Sequence, residues 1–314
     1  MSLDSLLLPL SSVTEQAAMA AFPMIGMGDE KEADRVAVEA MRGALDNLSI
    51  DGTIMIGEGE RDKAPMLYAG EKVGSLECKK VDIAVDPLEG TTLTAKAMPG
   101  AITVIAMSLP GGLLHAPDVY MEKIVIGRGY SEDLVSIDRD MSDNLIRLAK
   151  SKGSDVSDLR VCVLDRERHY KIISEIRSAG ASVCLIPDGD IVAALRCVQS
   201  LNGGIDMYVG SGGAPEGVLA AAALSCVGGH IQGRLQIRSK YEERRAAECG
   251  ISDTSRIYTT SDMVKSEVIF SATGVTDGFF LRGIRKDNSM ISTETLLLSS
   301  SPRIIRKVCR SELL

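Results

Sequence analysis

Residues 81–92 have the sequence Val-Asp-Ile-Ala-Val-Asp-Pro-Leu-Glu-Gly-Thr-Thr, an apolar segment that leads directly into a proline and a glycine. The first six residues predict a buried strand, and Pro87 is expected to end it because proline lacks the amide donor of a sheet ladder. Pro87 also suits the first position of a helical turn, which would bring Glu89 to the same side as Asp86. Two carboxylates this close repel each other unless a cation lies between them. The segment therefore predicts a metal site at the end of a strand.

The residues after this acidic pair have the features of a phosphate site. Gly90 permits close backbone approach, and Thr91 and Thr92 place hydroxyl and N–H groups at a predicted helix start. A second acidic turn, Gly57-Glu58-Gly59-Glu60, follows a predicted strand at 52–57, although alone it is more typical of solvated acids. Neither segment contains His or Cys, which disfavours zinc, whereas hard cations prefer carboxylate oxygens. The pattern predicts phosphoryl chemistry assisted by Mg²⁺ or Mn²⁺.

Composition narrows the class of protein further. The chain has 314 residues, of which 45% are hydrophobic and 25% charged, a balance that excludes general disorder and allows two domains. A net charge of −8 with 4% aromatic residues and no Trp disfavours nucleic acid as a partner. We find no apolar run of membrane-spanning length, no basic leader and no CxxC pair among seven Cys. These features predict a cytoplasmic protein with no membrane partner.

A polar, turn-rich segment at 151–160 predicts a domain junction, with domains at 1–156 and 157–314. The predicted fold class is α/β. The first domain contains an amphipathic helix at 28–48 and a mixed sheet with strands at 52–57, 81–86, 101–109 and 119–127. The second alternates strands at 159–164, 182–187 and 205–209 with helices at 167–179, 191–198 and 216–226. Such alternation predicts a largely parallel sheet covered on both faces. The strand pattern at 293–298 could return to either domain.

The Asp86-Pro-Leu-Glu-Gly-Thr91 segment resembles the D-P-[ILV]-[DE]-G-[ST] signature of the lithium-sensitive, metal-dependent sugar and inositol phosphatases. More narrowly, the chain resembles class II fructose-1,6-bisphosphatase, the bacterial type. The segments that carry this resemblance are 51–60, 64–68, 86–91, 117–121, 166–169, 186–190 and 212–217. The resemblance implies a two-domain α/β/α/β/α sandwich with an N-terminal metal and phosphate domain and a C-terminal sugar-binding domain. It also implies hydrolysis of the 1-phosphate of D-fructose 1,6-bisphosphate to fructose 6-phosphate and phosphate, as in gluconeogenesis.

Site residues follow from the resemblance by position. The implied metal ligands are Asp34, Glu58, Asp86, Glu89 and Glu216. The implied catalytic residues are Thr91 and Asp62, with either Thr91 or a metal-activated water attacking in line. The implied substrate contacts are Glu89, Gly90, Thr91, Tyr120, Arg166, Arg168, Asp188, Gly189, Asp190 and Gly213. In one departure from the family pattern, Glu30 occupies a position where the family has lysine, and Lys31 follows it. Position 30 therefore lacks the basic side chain of the family pattern in this chain.

Other functions remain open at this point. Within phosphatases, the alternatives are a dual fructose-1,6-/sedoheptulose-1,7-bisphosphatase and an inositol-phosphatase-like enzyme. A dinucleotide-binding protein is a different class, and the segment Gly210-Ser-Gly-Gly-Ala-Pro215 is its only attraction. Pro215 stands where the dinucleotide fingerprint requires glycine, so that match is weak. The family resemblance also implies a homodimer or homotetramer.

Overall fold

The structure is a computed structural model that describes residues 3–59, 65–75, 78–198, 201 and 204–313. Its helices are α1 (Asp4–Ala21), α2 (Glu30–Asp46), α3 (Thr91–Ala95), α4 (Met141–Lys152), α5 (Tyr170–Ser178), α6 (Asp190–Arg196), α7 (Ala214–Val227), α8 (Lys240–Glu248) and α9 (Thr260–Met263). Its strands are β1 (Ile50–Ile56), β2 (Lys72–Val73), β3 (Lys79–Glu89), β4 (Ile102–Ser108), β5 (Tyr120–Ile126), β6 (Arg160–Leu164), β7 (Ser182–Ile186), β8 (Met207–Gly213), β9 (His230–Gln236), β10 (Tyr258–Thr259), β11 (Val268–Gly274), β12 (Arg285–Lys286), β13 (Met290–Ser300) and β14 (Arg303–Leu313). None of the described helices is both long and apolar enough to cross a membrane.

The chain divides into two compact units at places other than the predicted junction. One unit comprises Met1–Leu114 and Val264–Leu314, and the other comprises His115–Met263. The predicted boundary between 156 and 157 differs because β5 pairs with β8 and β9, inside the second unit. In addition, β11 and β13 return to the sheet of the first unit. Pairing between strands distant in sequence has no local signal, so the turn-rich segment at 151–160 marks only the link between α4 and β6.

The first unit contains an eight-stranded sheet in the order β12-β13-β11-β4-β3-β1-β2, with β14 paired to β13. Only the pairing of β1 with β3 is parallel among those described, so the predicted mixed character of this sheet is confirmed. The strand predicted at 119–127 does not belong to it, because β5 pairs within the six-stranded sheet. Helices α1 and α2 pack on this sheet through a fully buried core that includes Leu10, Met41, Leu45, Ile83 and Ile105. Sequence analysis did not predict α1, which contains Pro9 and has few charged residues to mark a solvent face.

Strand β3 continues past Pro87, where the sequence predicted its end. The register of β3 against β4 shifts between Asp86 and Glu89, so Pro87 lies in an irregular step of the ladder. A bulge of this kind requires no hydrogen-bond donor at the proline, and the strand therefore resumes. Gly90 then adopts a φ of 93° and α3 begins at Thr91, as predicted.

The second unit contains a six-stranded sheet in the order β10-β9-β5-β8-β6-β7. Its parallel part is confined to β7, β6 and β8, whereas the prediction extended parallel pairing through most of this domain. Strands β5, β9 and β10 pair antiparallel. The prediction missed this because β5 precedes the alternating segment on which it was based, and because β9 and β10 were not predicted. The α/β fold class is confirmed. Helix α7 is apolar on nearly all sides, as expected for a buried helix. It packs against β5, β8 and β9.

Candidate active site

Asp86 and Glu89 form a close carboxylate pair at the end of β3. They offer carboxylate oxygens within 4.8 Å of one another, and Glu89 is 6% exposed. The amide of Leu88 donates to Oδ1 of Asp86 at 3.0 Å, which fixes the orientation of that carboxylate. The irregular step in the strand, rather than the predicted helical turn, brings the two acids together. Two partly buried carboxylates at this separation favour a divalent cation between them.

Glu58 lies at the same edge of the sheet as Asp86. Strand β1 runs parallel to β3 with Ile56 opposite Ala84, so Glu58 is level with Asp86 two residues further along. Gly57 makes this turn possible, because a Cβ there would lie 1.9 Å from the carbonyl oxygen of Leu67. Among the described carboxylates, Glu58 does not complete a three-residue group within 4.8 Å of Asp86 and Glu89.

Asp34 lies on α2 beside Ala33, a residue that packs into the same buried cluster as Leu88 and Leu93. Burial raises the pKa of Asp34, so a neighbouring cation would be needed to keep its carboxylate charged at lower pH. Asp34 also stays outside the 4.8 Å group in the described part of the chain.

The departure at Glu30 has a local explanation. Asp29 caps α2 by accepting the Glu32 amide at 3.0 Å, and Glu30 is the first residue of the helix. An acid in the first turn is favourable because of the helix dipole. Glu30 and Lys31 are both exposed, so the structure gives neither side chain a buried role.

Thr91 is the first residue of α3 and is half-buried. Gly90 is required before it, because a side chain at a φ of 93° is strained and a Cβ would lie 2.9 Å from Cδ1 of Leu93. The carbonyl of Gly90 accepts the Thr94 amide at 3.0 Å and so closes the short helix. The other predicted catalytic residue, Asp62, lies outside the described residues.

In the second unit, Glu216 is a half-buried acid, and one of its carboxylate oxygens is buried without a hydrogen-bond partner in the described part of the chain. It lies in the first turn of α7, and its Oε2 is buried with no hydrogen-bond partner among the described residues. Burial raises the pKa of Glu216, and the positive charge of Lys123 opposes that rise. An oxygen with these properties fits a cation ligand, since a cation would satisfy both its lone pairs and its charge.

Three glycines of β8 each make room for a different side chain. A Cβ at Gly210 would lie 3.2 Å from the ring of His169. At Gly212 it would lie 2.0 Å from Oδ2 of Asp190, and at Gly213 1.8 Å from Oε2 of Glu216. The dinucleotide fingerprint has its glycines in the turn that follows a strand. The glycines here lie within strand β8 itself. The glycine pattern is therefore explained by close packing and gives the dinucleotide alternative no support.

His169 joins the arginine-bearing loop to β8. The Ser211 amide donates to Nε2 at 2.8 Å, so Nδ1 must carry the proton and donates to the carbonyl of Leu164 at 2.9 Å. Burial lowers the pKa of His169, in keeping with a neutral ring. Arg168 is anchored to the same place, because Nε and Nη2 donate to the Ser211 carbonyl at 3.0 and 2.8 Å. In the neighbouring Arg166, Nη2 lies 4.0 Å from Oδ1 of Asp188.

Tyr120 lies against two guanidinium groups. The ring centroid is 5.0 Å from Arg168 and 4.3 Å from Arg238, and the tyrosine is 38% exposed. The family resemblance implies roles for Tyr120 and Arg168 but none for Arg238, which follows the end of β9. Arg238 reaches Tyr120 because Gln236, two residues before it, pairs with Tyr120 in the sheet. The register of the strands gives this proximity, and the sequence does not.

Lys123 is the second residue that sequence analysis missed. Its side chain is 1% exposed, and its ammonium donates to the carboxylate of Asp190 and to the carbonyl of Gly213, the latter at 2.8 Å. A signal was present in the sequence, since Lys123 alternates with Met121 and Val125 on one face of a strand. Both of those neighbours are fully buried.

Comparisons with known proteins identify the family. Residues 4–312 match the family described as bacterial fructose-1,6-bisphosphatase, glpX-encoded. The chain belongs to this family. A D-fructose 1,6-bisphosphatase class 2/sedoheptulose 1,7-bisphosphatase of Synechococcus sp. (strain JA-2-3B'a(2-13)) is 45% identical, covering 96% of this chain and 93% of the relative. The fructose-1,6-bisphosphatase 1 class 2 of Escherichia coli (strain K12) is 42% identical, with 96% and 94% covered.

A class 2 fructose-1,6-bisphosphatase of Haemophilus influenzae is 41% identical over 97% of this chain and 95% of the relative. Among solved structures, the inositol monophosphatase of Anabaena gives a TM-score of 0.33 at 14% identity, covering 63% of this chain and 73% of that chain. Membership of the glpX family makes the chain an enzyme of the phosphatase class. The acidic residues of the site fit the binding of a metal ion by this phosphatase.

Proposed function

We propose that this glpX-family phosphatase hydrolyses the 1-phosphate of D-fructose 1,6-bisphosphate to give fructose 6-phosphate and phosphate. The observation that carries this proposal is the Asp86–Glu89 pair, placed directly before Gly90 and Thr91 in a chain of this family. The pair supplies the oxygen ligands that Mg²⁺ and Mn²⁺ prefer. The two residues that follow supply a flexible backbone position and a hydroxyl beside it.

The metal ligands in this proposal are Asp34, Glu58, Asp86, Glu89 and Glu216. Two observations favour a cation at these acids: the short separation between Asp86 and Glu89, and the unpaired buried oxygen of Glu216. When bound, Mg²⁺ or Mn²⁺ would neutralise phosphate charge and act as a Lewis acid. Without a cation, acids alone would repel a sugar bisphosphate.

Thr91 and Asp62 carry the proposed chemistry at phosphorus. The Thr91 hydroxyl either orients a water molecule for in-line attack, which releases phosphate directly, or attacks phosphorus itself to give a phosphothreonine that water then hydrolyses to phosphate. In either route Asp62 helps to remove the proton of the attacking group. Glu89 and Gly90 lie beside the departing 1-phosphate in this arrangement. The leaving group is the 1-oxygen of the sugar.

Residues of the second unit bind the sugar and its 6-phosphate in the proposed function. They are Tyr120, Arg166, Arg168, Asp188, Gly189, Asp190 and Gly213. The two arginines on the ring of Tyr120 favour an anionic ligand, because a guanidinium binds phosphate through two parallel hydrogen bonds. Arg238 is one of these two and joins the proposed set. Asp188 and Asp190 follow β7, where their carboxylates can accept hydrogen bonds from the sugar hydroxyls.

We also propose that the protein works in the cytoplasm as a homodimer or homotetramer, with no nucleic-acid or membrane partner. Assembly follows from the family resemblance, and light scattering of the purified protein measures it. A monomeric mass would remove this part of the proposal without affecting the chemistry.

The decisive experiment measures phosphate release from fructose 1,6-bisphosphate after chelation and dialysis. We expect no turnover in metal-free buffer and recovery on addition of Mn²⁺ or Mg²⁺, with little release from fructose 6-phosphate. Full turnover without metal, or no release with either metal, would contradict the proposal.

A second substrate is supported by the name of the Synechococcus relative, which includes sedoheptulose 1,7-bisphosphatase activity. A panel containing both bisphosphates and inositol 1-phosphate separates the alternatives. Comparable kcat/KM for the two bisphosphates would make the enzyme dual. A preference for inositol 1-phosphate would replace the proposed function with that of an inositol phosphatase.

A further inference from the structure

Lys123 lies at the centre of the second unit and not at its surface. Strand β5 is flanked on both sides, and Lys123 pairs with Gly210 of β8 and Gly233 of β9. Its side chain is 1% exposed, whereas lysine is almost never fully buried unless it is paired. A buried ammonium requires acceptors, because removing it from water without them is costly.

The acceptors of Lys123 come from two different elements. One is the carboxylate of Asp190, at the start of α6, which is 7% exposed. The other is the carbonyl of Gly213, the residue that precedes α7 and caps its start. Glu216 lies in the first turn of that helix. One ammonium therefore joins the start of α6 to the start of α7.

The aliphatic part of Lys123 also contacts α7. A Cβ at Gly217 would lie 3.4 Å from Cδ of Lys123 and 2.7 Å from Sδ of Met121. The glycine thus lets the lysine stem lie against the first turn of the helix. The lysine consequently fixes this turn both by a hydrogen bond and by packing.

We propose that Lys123 is a positioning residue, which holds Asp190 and the first turn of α7 in one arrangement. In that arrangement Asp190 binds the sugar and Glu216 binds the metal ion. The inference rests on the proposed function and adds a residue to it. Stability alone is a weak explanation for the lysine, because a buried ion pair is often replaced by apolar residues at no cost. A residue that orients ligands from behind the site is known to change metal affinity by about 10- to 100-fold.

The test compares Lys123→Met with Lys152→Met. Lys152 is a matched control in the same unit, since its ammonium lies 2.7 Å from Oδ1 of Asp206 outside the proposed site. We expect Lys123→Met to weaken Mn²⁺ binding in calorimetry about tenfold. We also expect KM for fructose 1,6-bisphosphate to rise about tenfold, with a smaller change in kcat at saturating Mn²⁺ and substrate. The control should change none of these values.

Loss of Lys123 leaves Asp190 as an unpaired buried charge, so the single variant could fail to fold. The double variant Lys123→Met/Asp190→Asn removes that charge, and it is compared with Asp190→Asn alone. The proposal predicts weaker Mn²⁺ binding in the double variant, because the contact with Gly213 is lost. Equal Mn²⁺ affinity in these two proteins, or Mn²⁺ affinity and KM within twofold of wild type in folded Lys123→Met, would overturn it. Wild-type protein that binds Mn²⁺ but releases no phosphate would contradict the proposed function alone.

Discussion

At the scale of single residues, Glu216 can be tested through both stability and metal binding. Its Oε2 is buried without a hydrogen-bond partner among the described residues, and burial raises its pKa. We predict that Glu216→Gln raises the melting temperature of chelated protein, because an unsatisfied buried polar group costs about 1–3 kcal/mol when neutral and more when charged. The same change should weaken Mn²⁺ binding at least tenfold in calorimetry. A variant that is less stable and binds Mn²⁺ normally would show that Glu216 is not a ligand.

Substitution of Thr91 tests the proposed role of its hydroxyl in the attack on phosphorus. We predict that Thr91→Ala lowers kcat by about 10²-fold or more while the melting temperature stays within a few degrees. Thr92→Ala is the matched control, since Thr92 is the next residue of α3 and has similar exposure. Steady-state kinetics with fructose 1,6-bisphosphate measure both variants. Near-wild-type kcat in Thr91→Ala would remove Thr91 from the mechanism.

Of the proposed metal ligands, Glu58, Asp86 and Glu89 were singled out because they occur in short acidic segments at strand ends. Asp34 and Glu216 lie outside such segments and entered only through the family resemblance. The burial of Lys123 could be expected from its alternation with Met121 and Val125, but its role and that of Arg238 could not be predicted, since both depend on partners that lie far away in the sequence. Lys123 contacts Asp190 across 67 positions, and Arg238 reaches Tyr120 through the pairing of β5 with β9. Contacts of this kind are fixed by strand register, which sequence patterns do not record.

At the scale of elements, β8 is shaped by the side chains that pack on it. We predict that Gly212→Ala raises KM for fructose 1,6-bisphosphate about tenfold, because the added Cβ would lie 2.0 Å from Oδ2 of Asp190. Gly43→Ala, on α2, is the control, since a Cβ there meets nothing within 4 Å. The control should leave KM unchanged and stabilise the helix by about 0.5–1 kcal/mol. An unchanged KM in Gly212→Ala would mean that Asp190 does not act on the sugar.

The His169 ring, which is hydrogen-bonded to Leu164 of β6 and to Ser211 of β8, predicts a dependence of stability on pH. Burial lowers the pKa of His169 below its ordinary value of 6.5, so the unfolded chain binds a proton more readily than the folded one. The stability due to the neutral ring is present above about pH 6.5 and is lost as the pH falls toward the lowered pKa. We predict that urea unfolding between about pH 7.5 and 5.5 shows a smaller loss of stability in His169→Gln than in wild type. Equal losses in the two proteins would contradict the neutral ring.

Element boundaries were predictable where hydrophobic periodicity was strong, as for α2 and β5. The end of β3 was not, because Pro87 normally stops a strand and only a register shift against β4 accommodates it. Helix α1 was missed for the opposite reason. It is buried against the sheet along much of its length and therefore lacks the alternation of apolar and charged residues that marks a surface helix.

At the scale of the whole molecule, the proposed metal links catalysis to stability. A ligand that binds only the folded state stabilises it by about 2.7 kcal/mol at 100 times its Kd. We predict that Mn²⁺ raises the melting temperature of chelated protein by several degrees, and that Asp86→Asn loses this shift. Differential scanning fluorimetry measures both. An identical shift in the two proteins would place the Mn²⁺ site away from Asp86.

The division into units was the part of the fold least accessible from sequence. The fold class could be predicted from the alternation of strands and helices, but the return of β11 and β13 to the first sheet could not. Their segments contain ordinary strand patterns that could pair with either sheet. The choice is made by packing across the whole chain, which no local pattern contains.

This discontinuity has a consequence for how the protein is made on the ribosome. Strand β11 lies between β4 and β13 in the middle of the first sheet, although its residues are synthesised after the entire second unit. Until they emerge, the nascent chain exposes an open edge at β4, a surface that invites mispairing with other chains. The second unit is one continuous segment, His115–Met263, so all of it is synthesised before the last strands of the first unit. It can therefore fold while the sheet of the first unit is still incomplete.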